Sequence, residues 1–526
     1  MLCQGYLCCR FFSRGFYSCH WTDSSDQTRK CRCLLFSAVT LMSLLSLCWL
    51  YMCFVMSNDQ QDFNEELFKF LNLWVNGFMV LVIISAVLVG YCILLLLFAL
   101  IQVASGEQLL LHWFHKIVFC FGVIFVTVLV LVISIKWTEE WQAIPTSLQA
   151  TAPFLQFGAV GALTLLSPFV FQRVHLAKPR SKVLIAVVFL VVSVVIFLCP
   201  LLILSPCLIH WEELPEKPKL IGHRGAPMLG PENTMMSFNR CLECGVIAFE
   251  TDVQLSKKRI PFLMHDHGEG FLLRTTNVKD KFPNENFSNS TNLTMAQLQT
   301  LNAGEWFLKT DPYGTVSLLS EEERETARNQ TIPSLLELLK FAQQHNTSVL
   351  FDLKGENQEN DAQDTVETIL KQGIDQRLIL WLPTSGRDNA KMRAPGFIQV
   401  YGNESERAKH NGHYLNVKYS MLKMEKIRDL RKQNVTVNLW VVNERWLFSL
   451  LWCAGASSVT TNACHLLKEM DRPDWVLAPS TYMIIWILVD VSSALIMMAL
   501  FHWTKHCLCL QESNANEREL FLTRIG

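Results

Sequence analysis

The chain has 526 residues, and its 46 Lys and Arg nearly balance its 47 Asp and Glu, for a formal net charge of −1. Because no basic excess is left to neutralise phosphates, the composition argues against a nucleic-acid-binding protein. Half of the residues are hydrophobic and only 18% are charged, and the apolar residues lie in long blocks. This distribution predicts a membrane region joined to a separate, polar domain.

Six apolar blocks are long enough to cross about 30 Å of hydrocarbon as helices. They are 34–56, 78–101, 117–135, 152–171, 183–209 and 480–501. The polar stretch 210–479 separates the fifth block from the sixth, and the chain has a cysteine-rich N-terminal segment, 1–33, and a tail, 502–526. We therefore expect six transmembrane helices with one large domain inserted before the last of them.

Lys and Arg predict the orientation of these helices. Segment 1–33 contains five and loop 172–182 contains four, whereas loops 57–77 and 136–151 contain one each. By the positive-inside rule both termini are cytoplasmic and 210–479 lies on the far side of the membrane. All N-x-S/T sequons fall in that domain, as expected for an extracellular or lumenal glycoprotein, and we expect the protein to reside in the plasma membrane. The acceptor residues are Asn286, Asn289, Asn292, Asn329, Asn346, Asn403 and Asn434.

Short strand patterns alternate with helical ones throughout 210–479. The strand candidates are 219–222, 247–253, 260–264, 348–353, 378–381, 397–401, 414–417, 435–441 and 457–461. This alternation predicts the α/β class and favours a (β/α)8 TIM-like barrel. Nine candidates exceed the eight places, and we expect 397–401 to be an irregular extension. The gap from Val253 to Ile260 is too short for a crossover helix, and the polar residues 267–330 predict an insertion after the third strand, over the barrel mouth.

Polar side chains end several of these strands, where the active sites of such barrels lie. Glu250 and Asp252 are two residues apart in a strand, so both carboxylates share one face. Without a cation each would oppose the charge of the other, so they make more sense as oxygen ligands of a hard divalent ion. His223 and His265 end flanking strands and supply the groups for acid–base chemistry on a phosphate ester.

Four motifs follow one another between His223 and Asp266: HRG, PENT, ETD and HD. In this order they resemble the glycerophosphodiester phosphodiesterase family, and the membrane layout resembles its multi-pass branch with an extracellular catalytic domain. The resemblance covers roughly 215–470. It implies metal-dependent hydrolysis of glycerophosphodiesters to glycerol phosphate and an alcohol. A close variant is phospholipase C-like cleavage of lipid-anchored glycans (GPI anchors) at the outer membrane surface.

The resemblance also implies roles for individual residues. His223 and His265 would be the general acid and base, and Arg224 would bind the phosphate. The implied ligands of one divalent metal ion, Ca or Mg, are Glu250, Asp252 and Asp352, with His265 as a possible further ligand. The implied substrate-binding residues are Glu232, Asn233, Lys354 and Trp440; for Glu232 and Asn233, orienting the metal ligands is an equal possibility, and Trp440 equally fits as barrel filling.

Two positions depart from the family pattern. Asp352 stands where the family usually has glutamate, and Asn462 stands where it commonly has aspartate. These changes leave open a catalytically weak or inactive membrane receptor or adaptor that retains the barrel. A transporter has little support, because the spans contain few ionisable groups and no paired broken helices.

The cysteines of the polar domain allow two interpretations. Cys241 and Cys244 have the spacing of half a zinc site, but no matching second pair exists. A structural disulfide involving one of them, or joining Cys453 to Cys464, fits an oxidising compartment better.

Overall fold

A computed structural model describes residues 30–104, 111–284, 289–354 and 360–525. The membrane region before the barrel contains α1 (Lys30–Met56), α2 (Gln60–Leu71), α3 (Gly77–Ala104), α4 (Trp113–Lys136), α5 (Ala143–Leu176) and α6 (Pro179–Leu198). The barrel strands and their hairpin arm are β1 (Lys219–Gly222), β2 (Ala248–Leu255), β3 (Pro261–Leu263), β4 (Ser348–Leu353), β5 (Ile379–Trp381), β6 (Ile398–Tyr401), β7 (Tyr414–Lys418), β8 (Thr436–Trp440) and β9 (Ser458–Thr461).

The helices that follow β1 are no longer than 12 residues, except for the last. They are α7 (Met235–Glu243), α8 (Val278–Lys281), α9 (Met295–Leu298), α10 (Glu305–Thr310), α11 (Glu321–Arg328), α12 (Leu335–Gln344), α13 (Asp361–Gln372), α14 (Arg387–Arg393), α15 (Glu404–Lys409), α16 (Met424–Lys432), α17 (Arg445–Ala454), α18 (Cys464–Lys468) and α19 (Pro479–Ile525).

Six of the described helices are long and apolar enough to cross a membrane, as the sequence predicted. They are α1, α3, α4, α5, α6 and α19. The fifth predicted span was too long at its end: α6 stops at Leu198 and only a 3-10 turn, Cys199–Leu202, continues it. Pro200 explains the difference, since proline has no N–H to donate and its ring collides with the preceding helical turn.

Eight parallel strands close a barrel in the order β1-β9-β8-β7-β6-β5-β4-β2, with β1 pairing with β2 to complete the ring. The predicted (β/α)8 TIM-like fold is therefore confirmed. Its strands are lined by fully buried apolar side chains, among them Phe249, Phe351 and Trp381, which pack against the surrounding helices. This burial leaves the polar residues at the strand ends as the side chains that meet at the C-terminal mouth.

The irregular strand is β3, so the expectation that 397–401 is the irregular one was wrong. β6 lies between β5 and β7 as a regular parallel member of the barrel. β3 instead pairs antiparallel with β2, placing Val253 opposite Leu263. Since the connection 256–260 is too short for a crossover helix, an antiparallel return is the pairing that it permits.

The insertion follows β3 and builds short helices around a small apolar core of its own. That core includes Phe262, Phe271, Leu272 and Leu298, all of them fully buried. It lies apart from the main core and fixes the insertion beside the barrel mouth, where Arg274 enters the site described below.

Two disulfides are formed among the described residues, one within the polar domain and one between it and the linker that precedes it. Cys207, in the linker after α6, pairs with Cys453 on α17, and Cys244 after α7 pairs with Cys464 on α18. The expected disulfide involving Cys241 or Cys244 is therefore confirmed at Cys244. The alternative pairing of Cys453 with Cys464 was wrong, because each of them pairs with a cysteine of another element. Cys241 is a buried free thiol, so it makes neither a disulfide nor half of a zinc site with the oxidised Cys244. Oxidised pairs are typical of extracellular and lumenal proteins.

Residues 57–71, expected to form a loop, contain the amphipathic helix α2 and contact the barrel mouth. We call residues 57–71 the juxtamembrane segment. Asn58 donates to the carbonyl of Val441 at 2.8 Å and accepts from the backbone N–H groups of Asn443 (2.8 Å) and Glu444 (3.2 Å). Tyr419 donates to Asp59 at 2.6 Å. These contacts bring the membrane region to the catalytic face of the barrel.

Candidate active site

His223 lies at the end of β1 with its ring oriented by a neutral amide. Its Nδ1 is 2.7 Å from Oδ1 of Asn462, so Nδ1 carries the hydrogen and the Nε2 lone pair is left free. Nε2 is 4.0 Å from Oε2 of Glu250. Burial and the neighbouring Arg224 guanidinium lower the pKa of His223 to about 3. The structure thus holds His223 as a neutral base.

His265, just after β3, has a carboxylate in the corresponding place. Its Nδ1 is 2.9 Å from Oδ1 of Asp266. The same carboxylate accepts from Arg274 Nε at 2.7 Å and Nη2 at 3.0 Å. Arg274 and His265 hold the pKa of Asp266 well below its usual range, although burial opposes this. An ionised carboxylate therefore faces Nδ1 of His265, whereas a neutral amide faces Nδ1 of His223.

Glu250 and Asp252 are buried at the barrel mouth, on the face that the strand spacing predicted. Glu250 accepts from the backbone N–H of Arg224 at 2.9 Å, and Asn233 donates to Asp252 at 3.0 Å. Burial and the Asp252 carboxylate raise the pKa of Glu250 well above its usual range. His265 and Lys354 lower the pKa of Asp252 in spite of its burial. Burial and Asp252 oppose the negative charge of Glu250, and a bound cation would compensate for it. Carboxylate oxygens are also the ligands that hard divalent cations prefer, so this pair fits the requirements of such an ion.

Asp352, the predicted third ligand, lies beside Asp252 in the register of β2 and β4. Its carboxylate is 40% exposed and accepts from Lys354 Nζ at 2.8 Å, while that Nζ is 3.6 Å from Asp252. Asp252 and Asp352 raise the pKa of Lys354, although burial opposes this. Lys354 thus holds a positive charge beside two of the predicted ligands, Asp252 and Asp352.

The PENT motif supports the site in two ways. Asn233 accepts from Thr251 at 2.9 Å while it donates to Asp252, so it fixes the orientation of that carboxylate. Thr234 caps helix α7 by accepting from the backbone N–H of Ser237. Glu232, expected near glycerol hydroxyls or the metal ligands, instead lies between two arginines.

A buried cluster of charges surrounds Arg224. Its Nη1 donates to Glu232 and to Glu65, each at 3.1 Å. Arg274 forms a two-pronged contact with Glu232, at 2.6 and 3.1 Å. Arg274 was missed in the sequence, where the signal was a lone arginine directly after the short apolar run 271–273.

Glu65 is the second residue that the sequence interpretation missed. It lies on α2, which was read as a loop, and the signal was the three-residue spacing of Asp59, Asp62 and Glu65 along one helical face. One possible ligand atom from each of Glu65, His265 and Asp266 lies within 4.8 Å of the others. Both carboxylates already face Arg274, so positive charge is present there without a metal, and we do not assign a cation to this trio.

Trp440 and the glycosylation sequons remain predictions. Trp440 lies at the C-terminal end of β8 with 36% of its surface exposed, so it reaches the rim and does not fill the interior. Asn329, Asn346, Asn403 and Asn434 are exposed and Asn289 and Asn292 are half-buried, whereas Asn286 lies outside the described residues.

The chain was then compared with known proteins. Residues 223–383 match the glycerophosphoryl diester phosphodiesterase family. The mouse glycerophosphoinositol inositolphosphodiesterase GDPD2 is 42% identical over 532 residues, which cover 99% of this chain and 98% of that protein. Human glycerophosphodiester phosphodiesterase domain-containing protein 5 is 38% identical, covering 93% of this chain and 82% of that protein.

Among solved structures, an Oleispira antarctica phosphodiesterase in complex with the product sn-glycerol-3-phosphate is 24% identical, with a TM-score of 0.40. The match covers 48% of this chain and 95% of that one. The relatives aligned over nearly the whole chain decide the assignment, since they include both the barrel and the membrane region. The chain therefore belongs to the glycerophosphoryl diester phosphodiesterase family of phosphoric diester hydrolases.

Proposed function

We propose that this protein hydrolyses glycerophosphodiesters with two histidines of different character. The observation that carries the proposal is the pair of Nδ1 partners: a neutral amide at His223 and a carboxylate at His265. Because Nδ1 of each ring already has a partner, Nε2 of each ring would face the substrate. The amide leaves His223 neutral, as a base requires, and the carboxylate of Asp266 stabilises the proton-bearing form of His265, as an acid requires.

The reaction then balances with one water molecule. His223 Nε2 takes a proton from that water as its oxygen attacks phosphorus. The bond between phosphorus and the leaving oxygen breaks, and His265 Nε2 supplies the proton that the leaving alcohol needs. The products are a phosphate monoester and an alcohol, and proton exchange with solvent restores both rings.

In this proposal Arg224 and Lys354 would pair with the phosphate. An arginine fork suits phosphate oxygens because it donates in one plane, and Lys354 adds a point charge. Glu250, Asp252 and Asp352 would hold a divalent metal ion, Ca or Mg, which when bound neutralises charge that develops on the phosphoryl oxygens. Asn233 keeps Asp252 oriented for that task.

We infer the substrate class from the relatives that align with nearly the whole chain. Glycerophosphoinositol is the first compound to test, because a protein of that specificity by name shares 42% of its residues with this chain. The products distinguish two hydrolyses: glycerol phosphate with inositol, or inositol phosphate with glycerol.

The decisive experiment uses the full-length protein in lipid nanodiscs. Turnover of glycerophosphoinositol and glycerophosphocholine is followed by product analysis, with added Ca²⁺ or Mg²⁺ and with a chelator. We expect metal-dependent turnover, and we expect Glu250→Ala with Asp252→Ala to abolish it. An absence of turnover with every compound and metal would favour the receptor or adaptor alternative. Full activity of the double variant in excess chelator would contradict the metal site.

We also propose that the barrel is extracellular or lumenal, with cytoplasmic termini. The Lys/Arg asymmetry, the confined sequons and the two disulfides support this placement. Endoglycosidase should shift the mobility of the full-length protein, and protease added to intact cells should digest the barrel. An unshifted protein whose termini alone are digested would have the opposite topology.

Cleavage of lipid-anchored glycans is a second candidate, favoured by the contact between the barrel mouth and the juxtamembrane segment. Asn58 contacts the rim at Asn443 and lies directly after the first membrane helix, which supports a site that would open close to the bilayer. Vesicles that carry a GPI-anchored reporter test this candidate. Release of the reporter from vesicles that also hold the active protein is expected, and release by the double carboxylate variant would discount it.

A further inference from the structure

The juxtamembrane segment is fixed to the catalytic face of the barrel at more than one point. Asn58 accepts from the Asn443 N–H, and the Asn443 side chain donates back to the Asn58 carbonyl at 2.9 Å. Asn443 in turn accepts from the N–H of Asn462, the partner of His223, at 2.9 Å. A continuous hydrogen-bonded chain thus connects the membrane region to the histidine.

A second connection reaches Arg224. Glu65, with a side chain only 7% exposed, accepts from Arg224 Nη1 at 3.1 Å, and the same nitrogen donates to Glu232 at 3.1 Å. Both hydrogen bonds of the guanidinium are therefore made by Nη1. Nε is buried without a hydrogen-bond partner in the described structure, and its nearest carboxylate oxygen, on Asp252, is 3.5 Å away.

An unpartnered donor on a buried arginine is costly unless a ligand satisfies it. With Nη1 held from two sides, Nε is directed towards Asp252, the side of the site on which the proposed phosphate would bind. Glu232 alone would not fix this orientation, because it is shared with Arg274 through contacts of 2.6 and 3.1 Å. Glu65 supplies the second fixed point.

We propose that Glu65 is a positioning residue for the phosphodiesterase reaction: it orients Arg224, so that the membrane region completes the phosphate-binding pocket of the barrel. The inference rests on the proposed function, since it concerns the phosphate that the reaction would bind. It assigns part of the site to a residue 159 positions before Arg224 and outside the barrel.

The contacts of the juxtamembrane segment argue for a permanent role and against a removable plug. Were Glu65 to leave so that phosphate could replace it, the juxtamembrane segment would have to give up the contacts that Asn58 and Asp59 make with Asn443, Glu444 and Tyr419. Gln61, one turn earlier on α2, also donates to Glu65 at 3.2 Å and holds its carboxylate in place.

The test compares Glu65→Gln with Glu66→Gln in the full-length protein. Glu66 is the adjacent residue, with a side chain 49% exposed and paired with Lys69 on the surface, so it is a matched control. We expect Glu65→Gln to raise KM for the hydrolysed diester, and to weaken inhibition by sn-glycerol 3-phosphate, by about 10- to 100-fold. Glu66→Gln should match the parent. Unaltered KM and inhibition in Glu65→Gln would overturn the proposal, and faster turnover would identify a plug instead.

A double-mutant cycle separates positioning from a general structural effect. If Glu65 acts through Arg224, adding Glu65→Gln to Arg224→Lys should cost little beyond Arg224→Lys alone. Additive losses would overturn the proposal. Should Glu65→Gln fail to fold, Glu65→Asp, which keeps the charge on a shorter arm, replaces it in the same cycle.

The two proposals fail in different ways. If the parent protein turns over no diester, the proposed function fails. The positioning role is then still measured through thermal stabilisation by sn-glycerol 3-phosphate, which needs no turnover. Equal stabilisation of the parent and Glu65→Gln would refute it.

Discussion

His223 Nδ1 and Asn462 Oδ1 are 2.7 Å apart, at the ends of neighbouring strands β1 and β9. The amide oxygen of Asn462 accepts the Nδ1 hydrogen, so it selects the tautomer whose Nε2 can take a proton. The residue that departs from the family pattern therefore retains the acceptor that the histidine needs. This geometry explains how a site with asparagine in that position can remain catalytic.

The first prediction concerns that acceptor. Asn462→Asp keeps an oxygen against Nδ1 and should retain turnover, whereas Asn462→Leu removes it and should lower kcat by about 10- to 100-fold. Initial-rate measurements on the three proteins at saturating metal provide the comparison. Equal rates for the parent and Asn462→Leu would show that this hydrogen bond does not orient the base.

Asp352 provides the second prediction. Its side chain is one methylene shorter than that of glutamate, and its carboxylate lies 2.8 Å from Lys354 Nζ. Asp352→Glu should therefore keep or increase turnover at limiting metal, because the longer side chain reaches further into the pocket. Asp352→Asn should lose about 10- to 100-fold, since an anionic ligand is removed. Metal titrations of turnover distinguish the variants, and an Asp352→Asn curve that overlays the parent would exclude Asp352 as a ligand.

The disulfide between Cys244 and Cys464 provides the third prediction. It joins the end of α7 to α18 across 220 residues of sequence, so it restricts the unfolded chain strongly. Replacing both cysteines with alanine should reduce the free energy of unfolding of the barrel by about 2–5 kcal/mol. Thermal unfolding of the full-length protein gives the comparison. The exposed free thiol Cys120 offers a control, and a Cys120→Ala change as damaging as the double variant would argue against a specific role of the bridge.

Local patterns were sufficient to predict the barrel and much of its site. The i, i+2 spacing placed Glu250 and Asp252 on one face, and the ends of parallel strands necessarily meet at one mouth. All nine strand positions followed from short apolar runs. The sequence did not show which of the nine strands is irregular, because the pairing of β6 and the antiparallel pairing of β3 depend on strands elsewhere in the chain.

The charged partners of Arg224 could not be predicted from local sequence patterns. Glu65 and Arg274 reach Arg224 and Glu232 from a membrane loop and from the insertion, and no periodicity links them. The three-residue spacing of acids in 59–65 was a local signal of a helical face. Its contact with the barrel follows only from the three-dimensional arrangement.

The last prediction concerns pH. His465, on α18, is half-buried, and its Nδ1 is buried without a hydrogen-bond partner in the described structure. Burial, with the nearby Arg240 charge, lowers the pKa of His465, while Glu469 opposes this. The unfolded chain therefore binds a proton more readily than the folded protein does below about pH 6.5. The stability associated with neutral His465 is complete above that pH and is lost as the pH falls.

His465→Gln removes this titration, so the melting temperature of the variant should fall less than that of the parent between pH 7.5 and pH 5.5. Because the imidazole keeps part of its surface in solvent, we expect a difference of only about 2 °C. His210→Gln, at an exposed position, controls for the general effect of replacing a histidine. The measurement is a series of thermal unfolding curves for the three full-length proteins. Parallel curves for the parent and His465→Gln would show that protonation of His465 does not contribute to acid sensitivity.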